Sequence, residues 1–233
     1  MSEIGVNILY YVLPILGLII TGIAQLLITT NYGKYKQVKS RSNKMGCEVA
    51  RTILDKYNLS NVDVVEVSGN LTDHYDPTKK VVRLSTDIYS GTSIASVSVA
   101  AHECGHAIQD KESYTPMRIR SLLVPVVNFS TKIGYLVIVI GLAAGALKIA
   151  VIGLILLLSM LLFQLVTLPV EFDASRRGKK ELDELHFLDS GEQKGSAKML
   201  RAAAFTYVAS VLSTLFQILR LALMIAGSRR NNR

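Results

Sequence analysis

Cysteine is nearly absent from this chain: Cys47 and Cys104 are the only two in 233 residues. Two thiols cannot build a disulfide framework, and a reducing, cytoplasmic setting suits both. Histidine is almost as scarce. There are four, and two of them fall within five residues of each other. Acidic residues are outnumbered, 18 against 26 Lys and Arg, for a net charge of +8. The first seven residues carry Glu3 and no Lys or Arg. A cleavable signal peptide wants a basic start and a short apolar run, so the long apolar run that follows reads as an uncleaved anchor. Half of the residues are apolar and the mean hydropathy is positive, at +0.34. That excludes disorder and points to membrane spans. No internal repeat or low-complexity segment is evident.

Four apolar stretches stand out, at residues 8–28, 121–147, 149–168 and 202–226. The first is charge-free over about the length that crosses a bilayer. Only Lys148 separates the second from the third. The fourth is diluted by Ser, Thr and Gln and holds Arg220, so it reads as a span or as an interfacial helix. Four spans would place residues 29–120 and 169–201 on one side of the membrane, and these segments hold 20 of the 26 basic residues. The positive-inside rule then sets them in the cytoplasm. The basic charge gathers beside apolar spans instead of forming one face of a soluble domain, which argues against a nucleic-acid partner and for the lipid bilayer. The expected organisation is an N-terminal anchor (1–31), the first part of a catalytic domain (32–120), a transmembrane hairpin (121–168), a second catalytic part (169–201), and a fourth transmembrane helix with a basic tail (202–233).

Between the spans, Val38, Met45, Val49, Ile53 and Leu54 approximate helical spacing and predict a helix over about 35–57, with Gly46 as its weak point. Residues 62–67 and 81–84 are β-branched and bounded by turn residues, as strands are. The polar segment 69–77 between them reads as a loop with a turn at Asp76-Pro77. Residues 86–91 lead into a helix that runs to about Lys111.

That helix carries His102-Glu103-Cys104-Gly105-His106. Residues i and i+4 share a helix face, so both histidines can direct a ring nitrogen at one Zn²⁺. Glu103, next to the first histidine, can act as general base on a water there. Chance can place two histidines and a glutamate at this spacing on an amphipathic helix. The flank at 93–101, rich in Ala and Ser, favours instead a helix packed closely in a core. Gly105 costs about 1 kcal/mol of helix propensity relative to Ala, so helix formation alone does not select it. Cys104 points off the shared face and reads as a buried filler. A catalytic zinc site takes three protein ligands. Glu171, Asp173, His74, His186, Glu181 and Asp183 are on the correct side to supply the third. The hairpin brings Glu171 back to the membrane face of the two histidines, and an acid at a span end is costly without a partner. It is also explicable as a helix-start carboxylate favoured by the helix dipole. Spacing alone leaves both readings open.

The runs Asp73-His74-Tyr75-Asp76-Pro77, Ser90-Gly91-x-Ser93-Ile94-Ala95, Ala100-Ala101-His102-Glu103-x-Gly105-His106-Ala107-x-Gln109 and Leu168-Pro169-Val170-Glu171-Phe172-Asp173-Ala174-Ser175 closely resemble the YugP-type bacterial membrane zinc metallopeptidases. The likeness covers nearly the whole chain. More distantly the layout is similar to the HtpX-type and CAAX prenyl proteases, gluzincins that pair His-Glu-x-x-His with a later Glu-x-x-Ala-Asp. The resemblance implies His102, His106 and Glu171 as zinc ligands and Glu103 as the base. The chain departs from the wider pattern at Ser175, where an Asp that orients a zinc histidine is expected. A hydroxyl can accept the ring N–H, and Asp173 is the other candidate for the role. His74 and Tyr75 are candidate catalytic donors to a developing oxyanion, with simple turn-capping as the alternative. His186 reads as a surface residue of a helical segment.

The expectation is an α+β, mostly helical, membrane-embedded gluzincin-like protein with about four transmembrane helices and a small β-sheet, in a bacterial cell membrane. It would use Zn²⁺ to hydrolyse membrane-associated proteins or peptides near the cytoplasmic face, alone or with an oligomeric or regulatory membrane partner. The alternative is a catalytically silent zinc-binding scaffold or adaptor. A metal transporter fits less well, because the histidines lie outside the apolar spans.

Overall fold

The computed structural model describes residues 3–231, with side-chain surroundings for 8–227. Met1, Ser2, Asn232 and Arg233 lie outside the described residues, as do the side chains of Glu3, Arg229 and Arg230, so the charge argument made on both ends rests on sequence alone. In chain order the elements are α1 (Glu3–Lys36), α2 (Gly46–Lys56), β1 (Asp63–Val67), β2 (His74–Asp76), β3 (Val81–Ser85), α3 (Thr86–Tyr89), α4 (Ile94–Lys111), α5 (Thr115–Ala143), α6 (Leu147–Glu184) and α7 (Ser190–Asn231). The protein is α+β and mostly helical. Helices α1, α5, α6 and α7 are long and apolar enough to cross a membrane. By its contacts the described chain forms two compact units, one of residues 1–25, 119–168 and 205–233, the other of residues 26–118 and 169–204.

The first unit is built from the apolar runs. Leu122 and Leu18 are 75% and 73% exposed, and helices that turn such side chains outward satisfy their own backbone and suit lipid. Their small core holds Ile138, Leu157, Ile218 and Leu221. The tight return between α5 and α6 passes through Gly145, whose φ of +65° suits glycine.

The second unit holds the sheet, in the order β1-β3-β2. β1 runs parallel to β3, with Asp63 opposite Val81, and β2 runs antiparallel, with Tyr75 opposite Val82. Helix α4 lies at the centre. Its Ser93 cap accepts a hydrogen bond from the Ser96 backbone N–H at 3.1 Å. Ala95, Val97, Ala100, Ala101, Cys104, Ala107 and Ile108 are all buried along it. Small side chains on this buried helix let its neighbours come close, and among the polar residues it buries, Glu103, His106 and Gln109 belong to the site.

Three expectations are corrected. The helix expected over 35–57 is two: α1 carries on to Lys36, and α2 starts afresh at Gly46. A side chain at Gly46 would strike the Ile88 carbonyl, and its N–H donates to the Gly91 carbonyl at 3.0 Å. Gly46 is thus a contact point at a helix start. His74 to Asp76, expected as loop, form a strand too short for a periodic signal. Finally, α6 runs unbroken through Pro169, so Glu171 does not begin a helix. Residues 171–184 are rich in good helix formers, which sustains it past the proline.

Helix α4 also lies directly against α6 in the second unit. A Cβ on Gly105 would sit 3.0 Å from the Cα of Ala174 and closer still to its carbonyl oxygen; one on Gly178 would sit 2.8 Å from the Ala101 carbonyl oxygen. Ala101 and Gly105 are four residues apart on α4, as are Ala174 and Gly178 on α6, so two small-residue ladders meet. Gly105→Ala should therefore destabilise the fold by about 1–3 kcal/mol through overpacking, against the gain of about 1 kcal/mol that helix propensity alone gives. Thermal unfolding of the purified protein reads the sign, and a raised melting temperature would refute the close contact.

Candidate metal centre

The two ladders put one face of α4 against one face of α6. His102 and His106 follow Ala101 and Gly105, and Glu171 and Ser175 lie one turn apart on α6. The two imidazoles stand edge to face, with ring centroids 4.9 Å apart. Nε2 of His102 lies 3.4 Å from Glu171 Oε2, and Nε2 of His106 lies 3.6 Å from the same oxygen. The ligand atoms of the three residues all lie within 4.8 Å of one another. Two ligands about 2.0–2.1 Å from a tetrahedral ion stand roughly 3.3–3.4 Å apart, so the spacing matches.

The hydrogen bonds behind the rings fix what faces the centre. Gln109 is fully buried, and its amide nitrogen donates to the Val170 carbonyl at 2.8 Å and to Asp173 Oδ2 at 3.0 Å. With its donors committed to two acceptors, its oxygen must face His106 Nδ1, 3.0 Å away. That oxygen only accepts, so His106 carries its proton on Nδ1 and turns a bare lone pair at Nε2 toward Glu171. Asp173 is itself held by Arg176 and by Arg177 Nε at 2.6 Å. Ser175 Oγ lies 3.1 Å from His102 Nδ1 and can accept its proton in the same way. Glu171 Oε2 is buried and makes no hydrogen bond among the described residues. With both rings neutral and protonated on Nδ1, three lone pairs converge on one point. A buried polar atom left so is rare, and a cation at that point resolves it.

These residues lie in a sequence that can be compared with known proteins. Residues 10–226 match the family described as "Putative neutral zinc metallopeptidase". The chain belongs to that family. It is also similar to "Putative membrane protease YugP" of Bacillus subtilis (strain 168), at 44% identity over 209 residues that cover 90% of this chain and 93% of the relative. No solved structure matches it. This is a YugP-type membrane zinc metallopeptidase family, so the implied cofactor is Zn²⁺, and His102, His106 and Glu171 form a site able to hold it.

Glu103 is buried at 6% exposure and does not belong to the ligand group. Burial pushes its carboxyl up to about 7, with the charges of Glu171 and Asp73 adding to the rise, while His102 and the facing backbone N–H of Tyr75 oppose it. The other sequence candidates are placed elsewhere. Glu181 accepts from Lys56 at 2.6 Å and from the Tyr57 hydroxyl at 2.7 Å. Asp183 accepts from Gln193 at 2.7 Å. His186 is exposed in the turn after α6, at φ +54°, and not in a helix. His74 is exposed; its Nδ1 lies 2.7 Å from the Thr72 carbonyl, and its Nε2 lies 3.4 Å from Arg83 Nη1. The Tyr75 hydroxyl donates to Asp110 Oδ2 at 2.7 Å, and burial followed by that carboxylate raises its pKa strongly. Committed to Asp110, it is not offered to an oxyanion; what Tyr75 brings to Glu103 is its backbone.

Gln109 is the residue that sequence reasoning passed over, although a polar side chain three residues past the second histidine on one helix face was the available signal. Gln109→Leu should keep the volume and lose the hold on His106. Loss of such a supporting hydrogen bond typically costs about 10–100-fold in metal affinity. Chelator competition on folded protein measures it, and unchanged zinc affinity would remove Gln109 from any orienting role.

Proposed function

We propose that this protein is a zinc-dependent membrane endopeptidase that cuts membrane-associated proteins or peptides near the cytoplasmic face of a bacterial cell membrane. The observation that carries the reading is a buried carboxyl, Glu103, next in sequence to the first of three converging ligands and not one of them. A site that held zinc for structure alone has no use for such an acid. Bound zinc would polarise a peptide carbonyl and lower the pKa of a water molecule toward about 7. Glu103 takes the proton from that water at its carboxylate and passes it to the departing amine nitrogen.

Strand β2 supports the substrate side of the reading. It is an edge of the sheet, and its Tyr75 N–H faces Glu103. A substrate in extended form would add to this edge as a further strand, so its scissile bond would pass the base. His74, exposed on the same strand, is the side chain we assign as donor to the developing oxyanion. Cytoplasmic placement rests on the excess of Lys and Arg in residues 29–120 and 169–201.

Two variants separate base from ligand. Glu103→Gln keeps the size of the side chain but cannot take the proton; it should retain zinc and lose hydrolysis by at least about 10²–10⁴-fold. Glu171→Gln should weaken zinc binding itself. Comparing membrane proteomes of cells with wild type and Glu103→Gln should show fragments made only by wild type. Full activity in Glu103→Gln, with zinc held normally in Glu171→Gln, would leave the silent scaffold as the better account.

Orientation has its own test. A tag inserted at residues 111–117 should stay shielded from an impermeant reagent in intact cells and become reactive once the cells are opened. Labelling in intact cells would place the centre outside.

A further inference from the structure

Away from the metal centre, the second unit carries an open groove of about 770 Å³ between the C-terminal part of α6 and the N-terminal part of α7. Four cations line it: Arg176, Lys179, Lys180 and Arg201. Asp183 is the single acid, and Gln193 already occupies one of its oxygens. Arg176 is tied to Asp173, and Lys180 lies 3.5 Å from Glu184. Lys179 and Arg201 pair with no acid among the described residues; Arg201 spends only its Nε, on the Ala197 carbonyl at 3.1 Å. The groove therefore holds an excess of positive charge that the protein does not neutralise.

Its remaining wall is apolar. Phe172, Leu200 and Ala204 line it, and Phe172 is 49% exposed. Phe172 follows the last residue of the apolar stretch, Leu168, by four positions on one continuous helix, a rise of about 6 Å. Ala204 lies three residues into the apolar stretch of α7. Cations and apolar surface are thus combined where two helices pass between an apolar stretch and a polar one. A diffusible anion would use the charges and leave Phe172 wet. A phospholipid uses both, and basic pockets between membrane helices on the cytoplasmic side take anionic head groups. We propose that this groove seats the phosphate head group of an anionic phospholipid, with Lys179 and Arg201 on the phosphate and Phe172 against the glycerol and upper acyl chains. The proposal does not depend on peptidase activity.

The test leaves the metal network intact. Ser175 touches His102 and Arg176 holds Asp173, so neither is altered. Full-length protein in detergent is titrated with phosphatidylglycerol, with phosphatidylcholine and with glycerol 3-phosphate, and bound lipid is read by native mass spectrometry. Wild type should retain phosphatidylglycerol over phosphatidylcholine. A Lys179→Gln, Arg201→Gln double variant should lose that retention by on the order of tenfold or more, given the usual contribution of each cation near a charged lipid surface. The charge-keeping Lys179→Arg, Arg201→Lys pair should restore it, and equal zinc content in all three proteins shows that the fold is kept. Equal retention of both lipids, or an unaltered double variant, would overturn the proposal. So would glycerol 3-phosphate displacing the lipid at equal concentration, which would mark a site for soluble anions, or displacement by an acidic peptide at equal concentration, which would mark a peptide site.

Discussion

Everything at the metal centre depends on how closely α4 and α6 approach. Gly105 meets Ala174 and Gly178 meets Ala101 with no room for a further carbon. Larger residues at these places would push the helices apart by an ångström or more, and the distances of 3.4 and 3.6 Å from the two Nε2 atoms to Glu171 would be lost. The backbone contact, the Gln109 bonds to α6 and the surrounding core of α2 and α4, with Val49, Ile53 and Leu54 fully buried, fix the distance first. The ligands then have a point on which to converge.

The two glutamates of the centre are distinguished by their surroundings. Glu171 faces the Nε2 atoms of both histidines. Glu103 is buried outside the ligand group, and burial is the largest influence on it, raising its pKa. One carboxylate is placed to attract a cation and the other is driven toward its neutral form. Pairs of titratable groups driven apart by their environments are how one site keeps separate acid–base roles.

Much of this was legible in the sequence because it rested on local spacing. The His102 and His106 pair needs only one helical turn, and the apolar stretches need only length. The choice of Glu171 needed topology as well: a tight hairpin returns the chain to the side it left. What was not legible depended on contacts between distant segments. Gly46 and Gly105 look like flaws in their helices until Ile88 and Ala174 are seen against them. Strand β2 has three residues, too few to show alternation, and exists because β3 pairs with it. Tyr75 looked like a catalytic hydroxyl, and only the fold shows Asp110 in hydrogen-bond reach of it.

Ser175 has a consequence for the charge of the centre. An Asp there would set a full negative charge behind His102. Here the neutral Ser175 hydroxyl stands in that place, and the carboxylate present nearby, Asp173, reaches the other histidine only through the neutral amide of Gln109. Gln109 therefore holds His106 with a neutral acceptor, and the group beside His102 is neutral as well. A carboxylate bonded directly to a ligating imidazole raises its basicity, and a neutral group does so less. Asp173 is in addition neutralised by Arg176 and Arg177. Glu171 is then the one carboxylate of the ligand group among the described residues, and a cation bound there would keep more of its charge for polarising whatever lies opposite. The arrangement trades donor strength for electrophilicity, which suits a centre that must act on a peptide carbonyl more than one that must only hold an ion.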